Sequence, residues 1–578
     1  MEGSGPYIQL LASVPAFAAF DVAQLQALYR FCAQKVLAKG EAAFVAGQAV
    51  EELAIVVSGR LAAQEAGSYE AGRGEAVEAQ AFFTRGPAEA TAVALRETVL
   101  LTLGWDDFAG AFQASPDLIG AALSSLWSAN AQPVNPPAPL SRLVVCAAGA
   151  EARLEPGVKE ALLAGLESVA EVRVLGRQSF GAGMPGALAL DSPEIAHWLQ
   201  EQELEFDLTV IVADEADLDF AKEAIEEADG VLFIASGKDA GLSVLERHAL
   251  KVRGAGNCRL ILQKATAGPI TNAAAWIDPR RYGLMQAVDF ASPDAVRLMG
   301  QALAGKGHSI AVTSSGVYAA AVFGALQALE AHGLPPVSLT AAGSAVLPAG
   351  LLACGKFSSG PAIFKELANP ALWKRSSRSE AGLYDPAPLD NFLVGALQGL
   401  EFPTASRPFA AVSRSLSAGA PEIHRTGRLN GAVRAGIVPP GILPPLILEG
   451  GDILVSGEHE IEALSAAARR LSASPVSFLH TEPPPLGTSP MSYRNLTGSA
   501  LFRLTQTVDK RVRLETVLSI GANAPRFAAG PRTFAIPIPE GIMPSDWQQW
   551  IVLRDAAYEW ASKEFETGKL ASDKNAPI

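Results

Sequence analysis

Residues 36–63 read VLAKGEAAFVAGQAVEELAIVVSGRLAA, with apolar side chains on alternate positions between glycines at 40, 47 and 59. A period of two broken by glycine is the pattern of short antiparallel strands joined by tight turns, and it predicts a small β-barrel. Beyond it the period becomes helical in DDFAGAFQASPDLIGAALSSLW (106–127), and the proline-bearing stretch SANAQPVNPPAPLS (128–141) reads as a linker. Then come RLVVCAAGA (142–150), EVRVLG (171–176), DLTVIVAD (207–214), GVLFIAS (230–236) and RLILQK (259–264), with helical segments between them. Nearly continuous apolar strands alternating with helices indicate a parallel sheet covered on both faces. A second α/β region opens at HSIAVTSSG (308–316), and the chain ends in polar ASDKNAPI (571–578). The expected fold class is an α/β multidomain chain. A barrel with helices spans 1–130, a linker 131–141, a parallel α/β scaffold 142–305, a further α/β domain 306–565 and a polar tail 566–578.

With 578 residues the chain is too long for one ordinary core, and 49% hydrophobic against 18% charged residues is a folded, globular composition. The formal charge of −14 disfavours nucleic acid, whose binding is driven by clustered Lys and Arg. There is no apolar run of membrane-spanning length and no basic-then-apolar start, so the expected location is the cytoplasm. Cys32, Cys146, Cys258 and Cys354 stand far apart, and the seven histidines fall in no metal-ligand spacing. Reduced thiols, no metal and no cofactor are the expectation.

The phrase FVAGQAVEELAIVVSGRLAA (44–63) resembles the cyclic-nucleotide-binding fold, with Gly47, Leu53 and Gly59 in that family's G-x5-L-x5-G spacing. GRGEAVEAQAFFTRGPAEATAVAL (72–95) then resembles its phosphate-binding cassette in outline. The resemblance implies a Gly-Glu pair for the ribose and an Arg for the cyclic phosphate. Here Glu78 and Ala79 stand at the pair, and Ala88 stands at the Arg, just before Ala90 and Thr91. A phosphate buried beside a carboxylate without a cation is costly, so a cyclic nucleotide is not the expected ligand. Arg85, three residues earlier, is a candidate substitute cation.

ELEFDLTVIVADEADLDFAKEAIEEADGVLFIAS (203–236) resembles the segment that precedes the catalytic domain in the neuropathy-target-esterase group, with Asp207, Asp214, Ala228 and Asp229 in place. AAAWIDPRRYGLMQAVDFASPDAVRLMGQALAGKG (273–307) continues it through Trp276, Arg280 and Arg281. With no Walker or Rossmann glycine loop, this region reads as a scaffold. The three aspartates read as helix caps or solvated turns rather than metal ligands.

The remainder resembles a patatin-like phospholipase domain, in which a Ser–Asp dyad and a glycine loop hydrolyse acyl esters. The oxyanion loop aligns with Ser314, Ser315 and Gly316, and Tyr318 stands at the family's Arg. HGLPPVSLTAAGSAVLPAGLLACG (332–355) aligns with the nucleophile elbow and puts Gly343 at the nucleophile position. A one-residue shift would make Ser344 the nucleophile; otherwise Ser344 reads as the cap of the next helix. GRLNGAVRAGIVPPGILPPLILEGGDILV (427–455) aligns with the base segment, where Glu449 replaces the Asp and Asp452 is offset. Ala432, Arg434, Ala435, Pro439 and Pro445 keep its frame.

These replacements lead to the expectation of a non-catalytic, regulatory, scaffolding or binding protein of the neuropathy-target-esterase type. Its expected partners are an active patatin-like relative, another protein, or a membrane-lipid surface met at the inner face of the membrane. Two alternatives are a serine phospholipase or lysophospholipase using Ser344 with Glu449 or Asp452, and a cyclic-nucleotide-responsive sensor.

Overall fold

The computed structural model describes residues 5–14, 17, 20–64, 70–114, 140–150, 153–179, 193–235, 239–264, 273–374, 384–438, 442–448, 450–482 and 532–566. Apart from Leu140, Ser141 and Glu566, the linker and tail expected from the sequence lie outside them. The chain divides into two compact units, 1–284 with 289–306, and 285–288 with 307–578.

The first unit opens with two four-stranded antiparallel sheets. One runs in the order Ala33–Leu37, Thr98–Gly104, Glu52–Ser58, Ala76–Val77, and the other Ala42–Phe44, Ala92–Ala94, Leu61–Ala63, Glu70–Ala71. Leu37, Leu53, Leu61 and Leu101 are buried among them, and strands Glu52–Ser58 and Thr98–Gly104 are buried at nearly every position. Gly59, at φ +91°, shows why the turn needs glycine, since a Cβ there would lie 2.6 Å from Thr98 Cα and 2.7 Å from the Glu97 carbonyl oxygen. The β-barrel expected from residues 36–63 is present.

A parallel sheet follows, with strands in the order Val172–Leu175, Leu208–Val212, Arg142–Ala148, Gly230–Ala235, Cys258–Gln263. Arg142–Ala148 and Gly230–Ala235 pair in register at its centre and are almost wholly buried, as their unbroken apolar runs require.

Barrel and parallel sheet meet through buried charge. Arg96 Nη1 lies 3.1 Å from Glu203 Oε1, and its Nη2 lies 3.1 Å from Asp229 Oδ1. Arg142 Nη2 reaches Glu203 at 2.7 Å, and Arg60 Nη1 reaches Asp229 Oδ2 at 3.5 Å. That oxygen of Asp229 also accepts the Ser141 and Arg142 amides at 2.9 and 3.1 Å. Burial alone would raise the Asp229 carboxyl. The guanidinium charges of Arg96, Arg60 and Arg142 outweigh it and hold the group well below the usual carboxylate range. The reading of the strand-end aspartates as caps or solvated turns is therefore corrected for Asp229. Asp214 does cap, accepting the Ala216 amide at 2.8 Å. Asp207 accepts the Glu171 amide at 3.1 Å.

The second unit is built on an eight-stranded mixed sheet. Its path is Leu446–Ile447, Ile453–Ser456, Phe409–Ser415, Ser338–Gly343, Ser309–Ser314, Val476–Glu482, Thr533–Pro537, with Ala420–His424 beside Phe409–Ser415. The five strands from Phe409–Ser415 to Thr533–Pro537 run parallel. Helix Ala319–Ala331 is buried on nearly every side under helix Trp550–Glu566. Their backbones meet at Gly324, where a Cβ would lie 2.9 Å from the Arg554 carbonyl carbon. Among the described residues, no helix is long and apolar enough to cross a membrane. Cys146, Cys258 and Cys354 are buried thiols outside any disulfide, and Cys32 is half-buried.

Candidate functional site

In the barrel, the cassette segment forms a short helix, Ala79–Thr84, flanked by Glu78 and Arg85, both left-handed at φ +54°. Glu78 Oε2 accepts the Glu89 amide at 3.2 Å. Ala79 begins the helix, and Ala88 is buried with its N–H on the Gln48 carbonyl at 2.7 Å. The Thr91 hydroxyl accepts the Ala46 amide at 3.0 Å. Arg85 is exposed, with its guanidinium carbon 4.9 Å from the centre of the Trp105 ring. It engages an aromatic face. Phe82 and Phe83 join Trp105 and Phe108 in one aromatic cluster, with neighbouring centroids 5.3–5.7 Å apart. The cassette is thus fastened to the helix that follows the barrel by rings and one cation–π contact.

In the second unit, strand Ser338–Gly343 turns through Ser344 and Ala345 into helix Val346–Ala353, a sharp strand-to-helix elbow. Gly343 is its positive-φ residue, at +62°. A Cβ on Gly343 would fall inside van der Waals contact of the Ser314 carbonyl oxygen and 2.8 Å from Glu458 Cβ. On its other side, a Cβ on Gly436 would lie 2.8 Å from the Gly343 carbonyl carbon. The elbow tip is walled by backbone.

Ser344 is buried at 1% exposure, its N–H donates to the Ser314 carbonyl at 2.9 Å, and its Oγ lies 2.9 Å from Ser314 Oγ. It does not cap the next helix, whose cap position is Ala345 with no side-chain hydrogen bond. That expectation is corrected: the hydroxyl is taken by Ser314 on the neighbouring strand. Beyond Ser315, the turn Gly316–Tyr318 is covered by residues 542–544. The Val317 N–H donates to the Pro544 carbonyl at 2.8 Å, and Tyr318 Oη donates to the Ile542 carbonyl at 2.8 Å. A Cβ on Gly316 would lie 2.7 Å from the Pro544 carbonyl carbon. Burial and Asp546 push the Tyr318 hydroxyl up to about 12, so it remains a donor at neutral pH.

Glu449 lies outside the described residues. Asp452 is exposed on the turn before Ile453–Ser456, where its carbonyl accepts the Leu448 amide at 2.9 Å, and it makes no hydrogen bond to Ser344. The carboxyl beside the elbow is Glu458. Its carbonyl accepts from Thr313 Oγ1 at 2.9 Å, its Oε1 lies 3.4 Å from His459 Nε2, and its buried Oε2 has no hydrogen-bond partner. Burial raises its carboxyl above the ordinary value of 4.5, against the lowering influence of His459, Ser315 and Ser456. Sequence reasoning missed Glu458 because GEHE (457–460) belongs to no motif. Its one signal is Gly457, whose Cβ would lie 2.5 Å from the Val412 carbonyl oxygen.

Residues 34–115 match the family model of the cyclic nucleotide-binding domain. Similar solved structures include the N-terminal domain of a transcriptional regulator from Streptomyces coelicolor A3(2), 28% identical over 20% of this chain and 87% of that one, with a TM-score of 0.19. The sensor domain of the transcriptional regulator DNR from Pseudomonas aeruginosa is 23% identical over 22% of this chain and 91% of that one, with a TM-score of 0.19. The regulatory domain of Toxoplasma gondii PKA, crystallised with cAMP, is 22% identical over 19% of this chain and 44% of that one, with a TM-score of 0.18. No curated protein matches the chain.

Two outcomes follow from the elbow. Gly343→Ser lowers stability in urea unfolding by roughly 1–3 kcal/mol through overpacking and gains no acyl-ester hydrolysis; hydrolysis by that variant would show that the tip has room. Glu458→Gln acts with the opposite sign. A carboxyl raised above 4.5 in the folded state costs nothing below that pH, and destabilises as pH rises and ionisation of the buried group is forced. Thermal melts should therefore show the variant level with the parent at pH 4 and more stable at pH 7–8; a less stable variant at pH 7–8 would contradict the assignment.

Proposed function

We propose that this chain is a non-catalytic regulatory or scaffolding protein. On this reading a cyclic-nucleotide-binding-type barrel is joined to a hydrolase-like unit of patatin ancestry whose acyl-ester site is filled by the chain itself. The observation that carries it is where the elbow's backbone donors go. In an acyl hydrolase with an elbow of this kind, the amide after the nucleophile and those of a nearby loop point at the developing oxyanion. Here the Ser344 N–H is spent on the Ser314 carbonyl and the Val317 N–H on the Pro544 carbonyl, beside a tip that bears no side chain. A buried donor already paired does not turn to a substrate without stranding its partner.

The partners on this reading are an active patatin-like relative, another protein or a membrane-lipid surface at the cytoplasmic face. Nucleic acid is not among them. The purified full chain should hydrolyse neither a short-chain p-nitrophenyl ester nor a lysophospholipid above the Ser344→Ala background. Turnover lost on Ser344→Ala would establish the serine-hydrolase alternative and end the proposal.

The match of residues 34–115 favours a second reading, a cyclic-nucleotide-responsive sensor. Ala88 at the phosphate position and Arg85 on Trp105 argue for a barrel kept for packing or protein contact. A bound ligand at about 100 times its Kd adds about 2.7 kcal/mol. Cyclic AMP and cyclic GMP at millimolar concentration should leave the melting temperature unchanged, and a saturable rise would select the sensor.

A further inference from the structure

The buried charges of the first unit lie where the cassette ends and the parallel sheet begins. The cassette segment runs into strand Ala92–Ala94, and Arg96 follows two residues later. At its other end Arg73 donates to the Phe206 carbonyl at 3.1 Å and to the Glu203 carbonyl, both at the end of helix Pro193–Glu205. Thr98 holds the two barrel arginines together: its hydroxyl accepts the Arg60 amide at 3.1 Å and donates to the Arg96 carbonyl at 2.9 Å. On the sheet side, Asp229 immediately precedes strand Gly230–Ala235 and accepts the amides of Ser141 and Arg142 at the start of strand Arg142–Ala148. One carboxylate therefore sets the ends of both central strands while it binds Arg96. Arg96, Glu203, Asp229 and Arg142 are each at most 2% exposed, so no member can separate without leaving another charge unpaired away from water.

We propose that this ionic clamp makes the barrel and the parallel sheet one cooperative unit, and that Arg96 carries a rearrangement of the cassette to strands Arg142–Ala148 and Gly230–Ala235. A purely apolar interface could slip by small rotations at little cost. A set of bonded buried charges has one good arrangement, so loosening Ala92–Ala94 loosens the Asp229 carboxylate and with it the two strand ends. The clamp does not depend on what, if anything, binds the cassette.

Native-state hydrogen exchange read by mass spectrometry on the full chain tests this. The variants are Phe82→Leu, which loosens the aromatic cluster of the cassette, Arg96→Met, and the two together. The clamp predicts that Phe82→Leu speeds exchange of amides 53–57 and 143–147 by a similar factor, about tenfold for a cavity of that size. In the Arg96→Met background it should speed 53–57 alone. If 143–147 is unmoved by Phe82→Leu in the otherwise natural chain, the clamp does not transmit and the proposal fails. That comparison leaves the clamp intact, so it stands even where Arg96→Met does not fold. Arg96→Lys, which keeps the charge but loses the forked contact with both carboxylates, should then show a reduced response at 143–147; an undiminished response would also overturn the assignment to Arg96.

Discussion

The second unit depends on backbone packed against backbone at Gly343. The Ser314 carbonyl presses on one side of this residue and Gly436 meets its carbonyl on the other. With that contact made, the Ser344 N–H points to the Ser314 carbonyl, the two serine hydroxyls pair, and Glu458 closes over the tip. Any side chain at 343 would have to push apart two neighbouring parallel strands. The elbow joins strand Ser338–Gly343 to helix Val346–Ala353, and its geometry serves packing.

The same economy runs through the barrel. In the cassette segment Ala88 is buried, Glu78 accepts a nearby amide, and Arg85 is seated on Trp105. At the elbow the Ser344 N–H and hydroxyl are both paired within the chain, on the carbonyl and hydroxyl of Ser314. Charge is buried instead between barrel and sheet, where Arg96, Glu203, Asp229 and Arg142 neutralise one another. Such groups add little net stability over apolar packing, but removing one of them strands the charge of its partner.

Much of the fold could be read along the chain because its signals are local. The alternation in 36–63 is written residue by residue, and the parallel strands 142–148 and 230–235 appear as unbroken apolar runs. Gly343 was legible as a turn residue too, and it stands at the end of its strand with φ +62°. What could not be read are pairings across long sequence separations. Nothing near Arg96 announces Asp229, 133 residues away, and nothing near Ser344 announces Ser314. Asp229 resembled a cap because caps and buried ion pairs use the same residue type. Glu449 and Asp452 drew attention through a motif, while Glu458 reaches the elbow only through the fold of the sheet.

On the proposed function no activated serine stands at the elbow. The intact mass of the full chain after prolonged exposure to a fluorophosphonate reads this, because the reagent requires a reactive serine but not a good substrate. The expected mass at neutral pH is unmodified. Stoichiometric addition of one phosphonyl group, mapped to Ser344, would contradict it.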